Sequence, residues 1–252
     1  MKVKHLMTAT ILASIGSIGS IASAQSTNLY VGIGAGEARA QKAPDLLGFP
    51  AIYATEINNA LDTIEGLGPV TGGPSFTSDK SDTAYKIYLG FKGNEHTALE
   101  IGYADFGKFS SSETVRLDYS DPPDSASLSA AAKLEAKNTA WFFDAVGKMP
   151  ISERFSLIGR VGAAYVKTKS RLSESYNYVS EIDEALLNES GSGSASQSKS
   201  RWAPKLGLGV DYQISQGVSV LVEYERYFKV GNRNVGFKSD INMLTAGVKF
   251  HF

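Results

Sequence analysis

Apolar and polar residues alternate with a period of two in eight segments, at 28–36, 82–92, 97–107, 138–149, 154–167, 201–213, 217–229 and 240–252. Such alternation puts successive side chains on opposite faces of a β-strand. One of the two faces carries no charge in any segment. It runs from Leu29, Val31, Ile33 and Ala35 through Tyr85, Ile87, Leu89 and Phe91 to Leu244, Ala246, Val248, Phe250 and Phe252. The other face collects Lys86, Glu100, Asp144, Lys148, Arg160, Lys205, Asp211, Glu223, Glu225 and Lys249, five of each sign, together with many glycines. A Lys or Arg turned toward mid-bilayer lipid costs about 2–4 kcal/mol. A face kept clean over eight strands therefore points to a barrel with lipid outside and charge inside.

The connections obey a second rule. Segments two and three are joined by "GNEH", four and five by "PISE", and six and seven around "SQG". The others are longer: about 45 residues (37–81), 30 (108–137), 33 (168–200) and 10 (230–239). Short and long alternate strictly, as expected for short periplasmic turns, long extracellular loops and an even strand number. Aromatics fall near both ends. Phe91, Phe155, Tyr212, Phe250 and Phe252 lie by the short turns, and Tyr103, Trp141, Tyr165, Trp202 and Tyr224 lie toward the long loops. Two such belts mark the two membrane interfaces. The predicted fold is all-β, an eight-stranded antiparallel up-and-down transmembrane barrel.

Averages alone hide this. Apolar content is 42% and mean hydropathy −0.13, values of an ordinary soluble domain. Beyond residue 24 no run of about 18 apolar residues offers a transmembrane helix. The 25 Gly with 12 Tyr and 12 Phe suit antiparallel sheet, and the absence of Cys excludes disulfides, thiolate metal sites and a lipoprotein anchor. Residues 1–24 have the form of a secretory leader: Lys2 and Lys4, the apolar "LMTATILASIGSIGSI", then Ala22-Ser23-Ala24 as an A-x-A cleavage site. The expected organisation is a leader at 1–24 and a barrel domain at 25–252. Taking Lys2 and Lys4 from 25 basic residues leaves 23 against 26 acidic ones, a net charge of about −3 that gives nucleic acid no purchase.

The long connections differ in kind. "ESGSGSASQSKS" (189–200) is low-complexity and is expected to be mobile, whereas "SETVRLDYSD" and "KSRLSESYNYVS" keep some alternation, so their strands are expected to project past the membrane. Ile57, Ala60, Leu61 and Ile64 have helical spacing and predict a short helix in the first loop. The loop carboxylates Asp79, Asp82, Asp121, Asp124, Glu181, Asp183 and Glu184 lack calcium-loop spacing and read as solvated surface. "GIGAGEA" is no nucleotide loop, because no βαβ unit follows it and Gly32 and Gly34 fall on the crowded inner face.

The segments "ALEIGYADFGKF" (98–109), "GRVGAAYV" (159–166), "GLGVDYQIS" (207–215), "LVEYERY" (221–227) and the final "AGVKFHF" make the chain resemble the transmembrane domain of the OmpA family and its eight-stranded relatives. The resemblance covers the whole mature chain. It implies outer-membrane location, a closed lumen of paired acids and bases, and gating by partner exchange. Glu100, Asp211 and Glu223 match the family's interior acidic positions, and Arg160 matches a basic one. The two basic gate positions are Val146 and Leu221 here, so the gating chemistry does not carry over. The chain stops at its eighth strand, so no peptidoglycan-binding domain is expected. By the same resemblance, Phe250 and Phe252 look like the signal read by the barrel-assembly machinery.

An eight-stranded lumen is just wide enough for its own side chains. Its ten charges read first as a paired structural core and second as a narrow ion path, the small-porin alternative. His-based surface catalysis is disfavoured: His5 leaves with the leader, and His96 and His251 sit at the periplasmic end. The sequence thus predicts a non-enzymatic outer-membrane protein with no cofactor or metal, monomeric, surrounded by membrane lipid and lipopolysaccharide. Its long loops would serve envelope integrity, adhesion or capture of an extracellular ligand.

Overall fold

Every alternating segment becomes an antiparallel strand in the computed structural model, which describes residues 28–46, 70–121, 123–182 and 185–252. The expected leader and the expected helix around Ile57 to Ile64 lie outside the described residues. The strands are β1 (Leu29–Ala40), β2 (Val70–Asp79), β3 (Ser81–Lys92), β4 (Thr97–Asp121), β5 (Asp124–Pro150), β6 (Phe155–Ile182), β7 (Ala185–Ser215), β8 (Val218–Asn232) and β9 (Phe237–His251). Among the described residues, eight of them close a ring in the order β4-β3-β1-β9-β8-β7-β6-β5 and back to β4. The seam is β1 against β9, from Tyr30↔His251 to Ala40↔Ile241. β2 stays outside the ring and, among the described residues, pairs with the far end of β4 alone, from Val70↔Tyr119 to Asp79↔Ser110.

The charge-free face points outward. Ile87 and Ile101 are each 53% exposed, Trp141 62% and Leu208 71%. Water would drive such a surface to aggregate, whereas hydrocarbon solvates it. The outer aromatics at the long-strand end form one row in register, Tyr103↔Trp141↔Tyr165↔Trp202. Neighbours in the row touch, with ring centroids 5.4 Å apart for Tyr103 and Trp141 and 5.3 Å for Tyr165 and Trp202. At the short-turn end, Phe155 tilts against Tyr212 at 4.6 Å.

The strands are far longer than a membrane requires. β5, β6 and β7 have 27, 28 and 31 residues, against the 9–11 that cross a bilayer. At about 3.3 Å per residue, β6 alone spans roughly 90 Å. Beyond the ring, β2, β4, β5, β6 and β7 pair continuously into one five-stranded wall above a single side of the barrel. The projection expected of 112–121 and 169–180 is thus found, but the mobile tract expected at 189–200 is not. Those residues are strand, paired from Glu189↔Tyr178 to Ser200↔Lys167. Ladder hydrogen bonds need no particular side chain, so a Ser/Gly tract can pair where a well-formed partner strand is offered. Gly191 adds a specific fit: a Cβ there would come within 2.4 Å of the Tyr176 ring.

Two bulges break the alternation near the rim. The β4–β5 register shifts between Asp105 and Lys108, where Gly107 adopts φ 73°, and the β8–β9 register shifts between Tyr227 and Val230, where Lys229 adopts φ 53°. Each extra residue turns side chains three apart onto the same face. Phe106 and Phe109 both become fully buried, as do Tyr227 and Val230. Aspartates hold the bulged backbone: Gly107 N–H donates to Asp105 (2.9 Å), Lys108 N–H to Asp82 (2.8 Å) and Lys229 N–H to Asp240 (2.8 Å). Asp82, read as solvated surface, is therefore a structural acceptor. Its role is invisible in sequence because its partner lies 26 residues away.

Gly107→Val would force a left-handed φ on a β-branched residue, at about 1–2 kcal/mol, and bring a Cβ within 2.6 Å of Asp82. The variant should show a lower urea midpoint in phospholipid vesicles. An unchanged midpoint would mean that the bulge is not what seats Phe109.

Candidate functional site: the barrel interior

Inward positions along the ring alternate between bulky and minimal residues on neighbouring strands. Gly162 lies between Asp144 and Lys205 in register, and a Cβ there would sit 2.2 Å from Asp144 Oδ1. Gly32 faces Tyr88 and Gly90 faces Tyr30, each with room for the opposing phenol and not for a methyl. The glycines on the inner face are therefore spaces through which large side chains reach one another.

Nine of the ten predicted interior charges are buried: Lys86, Glu100, Asp144, Arg160, Lys205, Asp211, Glu223, Glu225 and Lys249. Lys148 is the exception. It is half-buried at the short-turn mouth, its backbone N–H donating to the His96 carbonyl at 2.7 Å. Arg160 forks onto Glu100, Nε to Oε2 at 2.9 Å and Nη2 to Oε1 at 3.1 Å, and its third nitrogen meets Glu223. Lys86 joins Glu223 to Glu225, the latter at 3.3 Å. Lys205 joins Glu225, at 2.9 Å, to Asp144. Seven charges from six strands thus form one chain of contacts. Lys249 and Asp211 form a separate pair nearer the short turns.

Buried charges of this kind need their remaining polar atoms satisfied. Two tyrosines contribute: Tyr30 donates to Glu100 Oε1 (2.7 Å) and Tyr227 to Glu225 Oε2 (3.3 Å). Aromatic faces take up the cations from the side, with Lys205 Nζ 3.8 Å from the Phe142 centroid and Lys249 Nζ 5.1 Å from that of Tyr30.

Above the charges, toward the long strands, the interior turns apolar. Phe106, Phe109, Tyr227, Phe237, Ile241 and Met243 are each no more than 1% exposed. Phe106 stands edge-on to Tyr227 at 4.6 Å and Phe109 stacks with Phe237 at 5.7 Å. Sequence reasoning missed this layer. Parity alone would have put Phe106, Ile241 and Met243 inside, but Phe109 and Val230 arrive there only through the bulges. Val146 and Leu221 are buried on the inner face as apolar neighbours of the charges. Phe250 and Phe252 lie on the outer side of the seam, where Phe252 N–H donates to the Leu29 carbonyl at 3.1 Å.

A closed eight-stranded ring, apolar outside and ion-paired inside, defines an outer-membrane β-barrel. The family model described as the OmpA-like transmembrane domain matches residues 24–252, and the chain belongs to that family. An uncharacterized protein of Coxiella burnetii (strain RSA 493 / Nine Mile phase I) is 28% identical over 184 residues, covering 71% of this chain and 72% of that one. Among solved structures, Neisserial surface protein A covers 91% of this chain and all of its own length at 11% identity, TM-score 0.42. Ail of Yersinia pestis covers 88% of this chain and 98% of its own at 12% identity, TM-score 0.37.

The isolated pair tests the energetics. Lys249→Met leaves Asp211 buried without its cation and should cost about 3–5 kcal/mol, while adding Asp211→Leu should recover most of that loss. Urea unfolding in vesicles measures both; equal losses in single and double variants would show that stability does not depend on the pairing.

Proposed function

We propose that this chain is a non-conducting outer-membrane protein whose work is done by the wall it displays outside the cell, in envelope integrity, adhesion or capture of an extracellular ligand. The observation that carries the reading is the two-layer interior. An ion crossing it would have to break charge pairs held by tyrosines and then dehydrate past Phe106, Tyr227, Phe237 and Met243. The extended β2–β4–β5–β6–β7 sheet then offers itself as the surface for partners. Membrane lipid and lipopolysaccharide surround the charge-free face, a monomer suffices to close the ring, and residues 1–24 direct export as a cleaved leader. The protein is read as non-catalytic, which fits the placement of His96 and His251 at the end opposite the wall.

Planar-bilayer recording of the refolded protein should give at most small, infrequent openings. Phe106→Ala combined with Tyr227→Ala should raise them by thinning the apolar layer. A large, stable wild-type pore would instead select the small-porin alternative.

Phe250 and Phe252 are proposed as the residues through which the assembly machinery engages the closing strand. Deleting Phe252 should raise the unfolded fraction in cells, read by gel mobility without heating. Wild-type folding of the deletion would count against that role.

A further inference from the structure

The register places cations opposite one another on the outer surface just above the aromatic row. Lys108, Lys137 and Lys169 are successive cross-strand partners on β4, β5 and β6, and Lys167 and Arg171 flank Lys169 on the same face of β6. All five are exposed. Like charges directly opposite each other destabilise a sheet, so this arrangement opposes folding unless something anionic covers it. Carboxylates do so only in part: Asp105 meets Lys137 at 3.1 Å, and Glu135 is engaged with Lys133 at 3.2 Å. Among the described residues, Lys108, Lys167, Lys169 and Arg171 have no ion-pair partner.

Position narrows the choice of anion. Lys167 and Lys169 lie two and four residues beyond Tyr165 along β6, about 7 and 13 Å at the usual strand rise. The row Tyr103, Trp141, Tyr165 and Trp202 marks the membrane interface. The lysines therefore stand at headgroup depth, on the lipid-facing side, at the end where the long strands emerge. Adjacent strands lie about 4.8 Å apart, so Lys108, Lys137 and Lys169 span roughly 10 Å along the surface. The rest of the rim at this height is mixed in sign: Arg39, Arg226 and Lys238 stand among Glu37 and Asp240, and Arg226 is tied to Asp240 at 2.8 Å. Among the described residues, a run of cations in direct cross-strand register is found on this side alone, on a chain whose net charge is −1.

We infer that the outer surface of β4–β6 at Lys108, Lys137, Lys167, Lys169 and Arg171 is a binding site for the phosphates of an outer-leaflet glycolipid, whose acyl chains lie down the face below Trp141 and Tyr165. The inference rests on the reading of the chain as an outer-membrane barrel with its long strands outward. Bound phosphates relieve the lysine repulsion and fix the base of the wall to the membrane surface.

The chain's two tryptophans, Trp141 and Trp202, both stand in the row beneath the patch, so their emission reports occupancy. The full-length protein, refolded in neutral detergent, is titrated with bisphosphorylated lipid A. Affinity should fall roughly a hundredfold in Lys137→Gln/Lys167→Gln/Lys169→Gln and stay unchanged in Arg39→Gln/Lys238→Gln on the opposite side. The corresponding triple Lys→Arg variant should keep binding, and without lipid A the Gln variant should be no less stable than wild type. Dephosphorylated lipid A should bind wild type no better than it binds the Gln variant, and equimolar inorganic phosphate should not displace the lipid. Wild-type affinity in a Gln variant that shows heat-modifiable mobility overturns the site. Equal binding of the dephosphorylated lipid, or displacement by phosphate, overturns the glycolipid. A wild-type protein that never acquires heat-modifiable mobility refutes the barrel reading itself and takes the site with it.

Discussion

An unpaired strand edge cannot face hydrocarbon, because each orphan backbone group there costs several kcal/mol. The pairing of β1 with β9 removes that edge, and most of the molecule follows from it. Closing eight strands fixes a lumen hardly wider than the side chains it holds. Bulk on one strand must then be matched by absence on the next, which is the relation of Gly162 to Asp144 and Lys205 and of Gly32 to Tyr88. Once the space is that tight, the charges cannot be solvated individually, and pairing among Arg160, Glu100, Glu223, Lys86, Glu225, Lys205 and Asp144 is the remaining way to keep them ionised inside.

The two interior layers have different physical demands. The charged layer needs geometry, and it draws that from donors outside the ion pairs, Tyr30 and Tyr227, each anchored on a strand next to the seam or on it. The apolar layer needs volume. Two bulges supply it by turning Phe109 and Val230 inward where simple alternation would have pointed them at the membrane interface. Tyr227 belongs to both layers, its ring against Phe106 and its hydroxyl on Glu225, so the boundary between them is fixed by one side chain.

Much of this was legible in the sequence because the outward face follows one chemical rule that every strand obeys. Eight segments, their polarity and the residues Lys86 to Lys249 on the inner face all follow from parity and the cost of charge in lipid. Which charge meets which did not. Arg160 and Glu100 are 60 residues apart, and their meeting depends on strand stagger, which no local pattern encodes. The bulges escaped for a related reason: the alternating segments end at 107 and 229, so the positive φ of Gly107 that turns Phe109 inward lies at the very end of the pattern, and Lys229 carries no glycine signal at all. The Ser/Gly tract at 189–200 misled because composition describes side chains, whereas its order comes from the ladder offered by β6.

The wall and the cationic patch share one origin in this topology. β4 to β7 continue past the membrane while β1, β3, β8 and β9 stop near it, so lateral load on the projecting sheet is carried by one side of the ring. That side has the aromatic row in unbroken register, and above it the lysines that repel one another. A free-standing sheet gains nothing from such a row of like charges. A sheet whose base rests in a layer of phosphates gains an electrostatic tether at its most heavily loaded point, screened little because it is held close to the surface. The opposite rim, with short strands and the Arg226–Asp240 pair, has no comparable projection to hold upright.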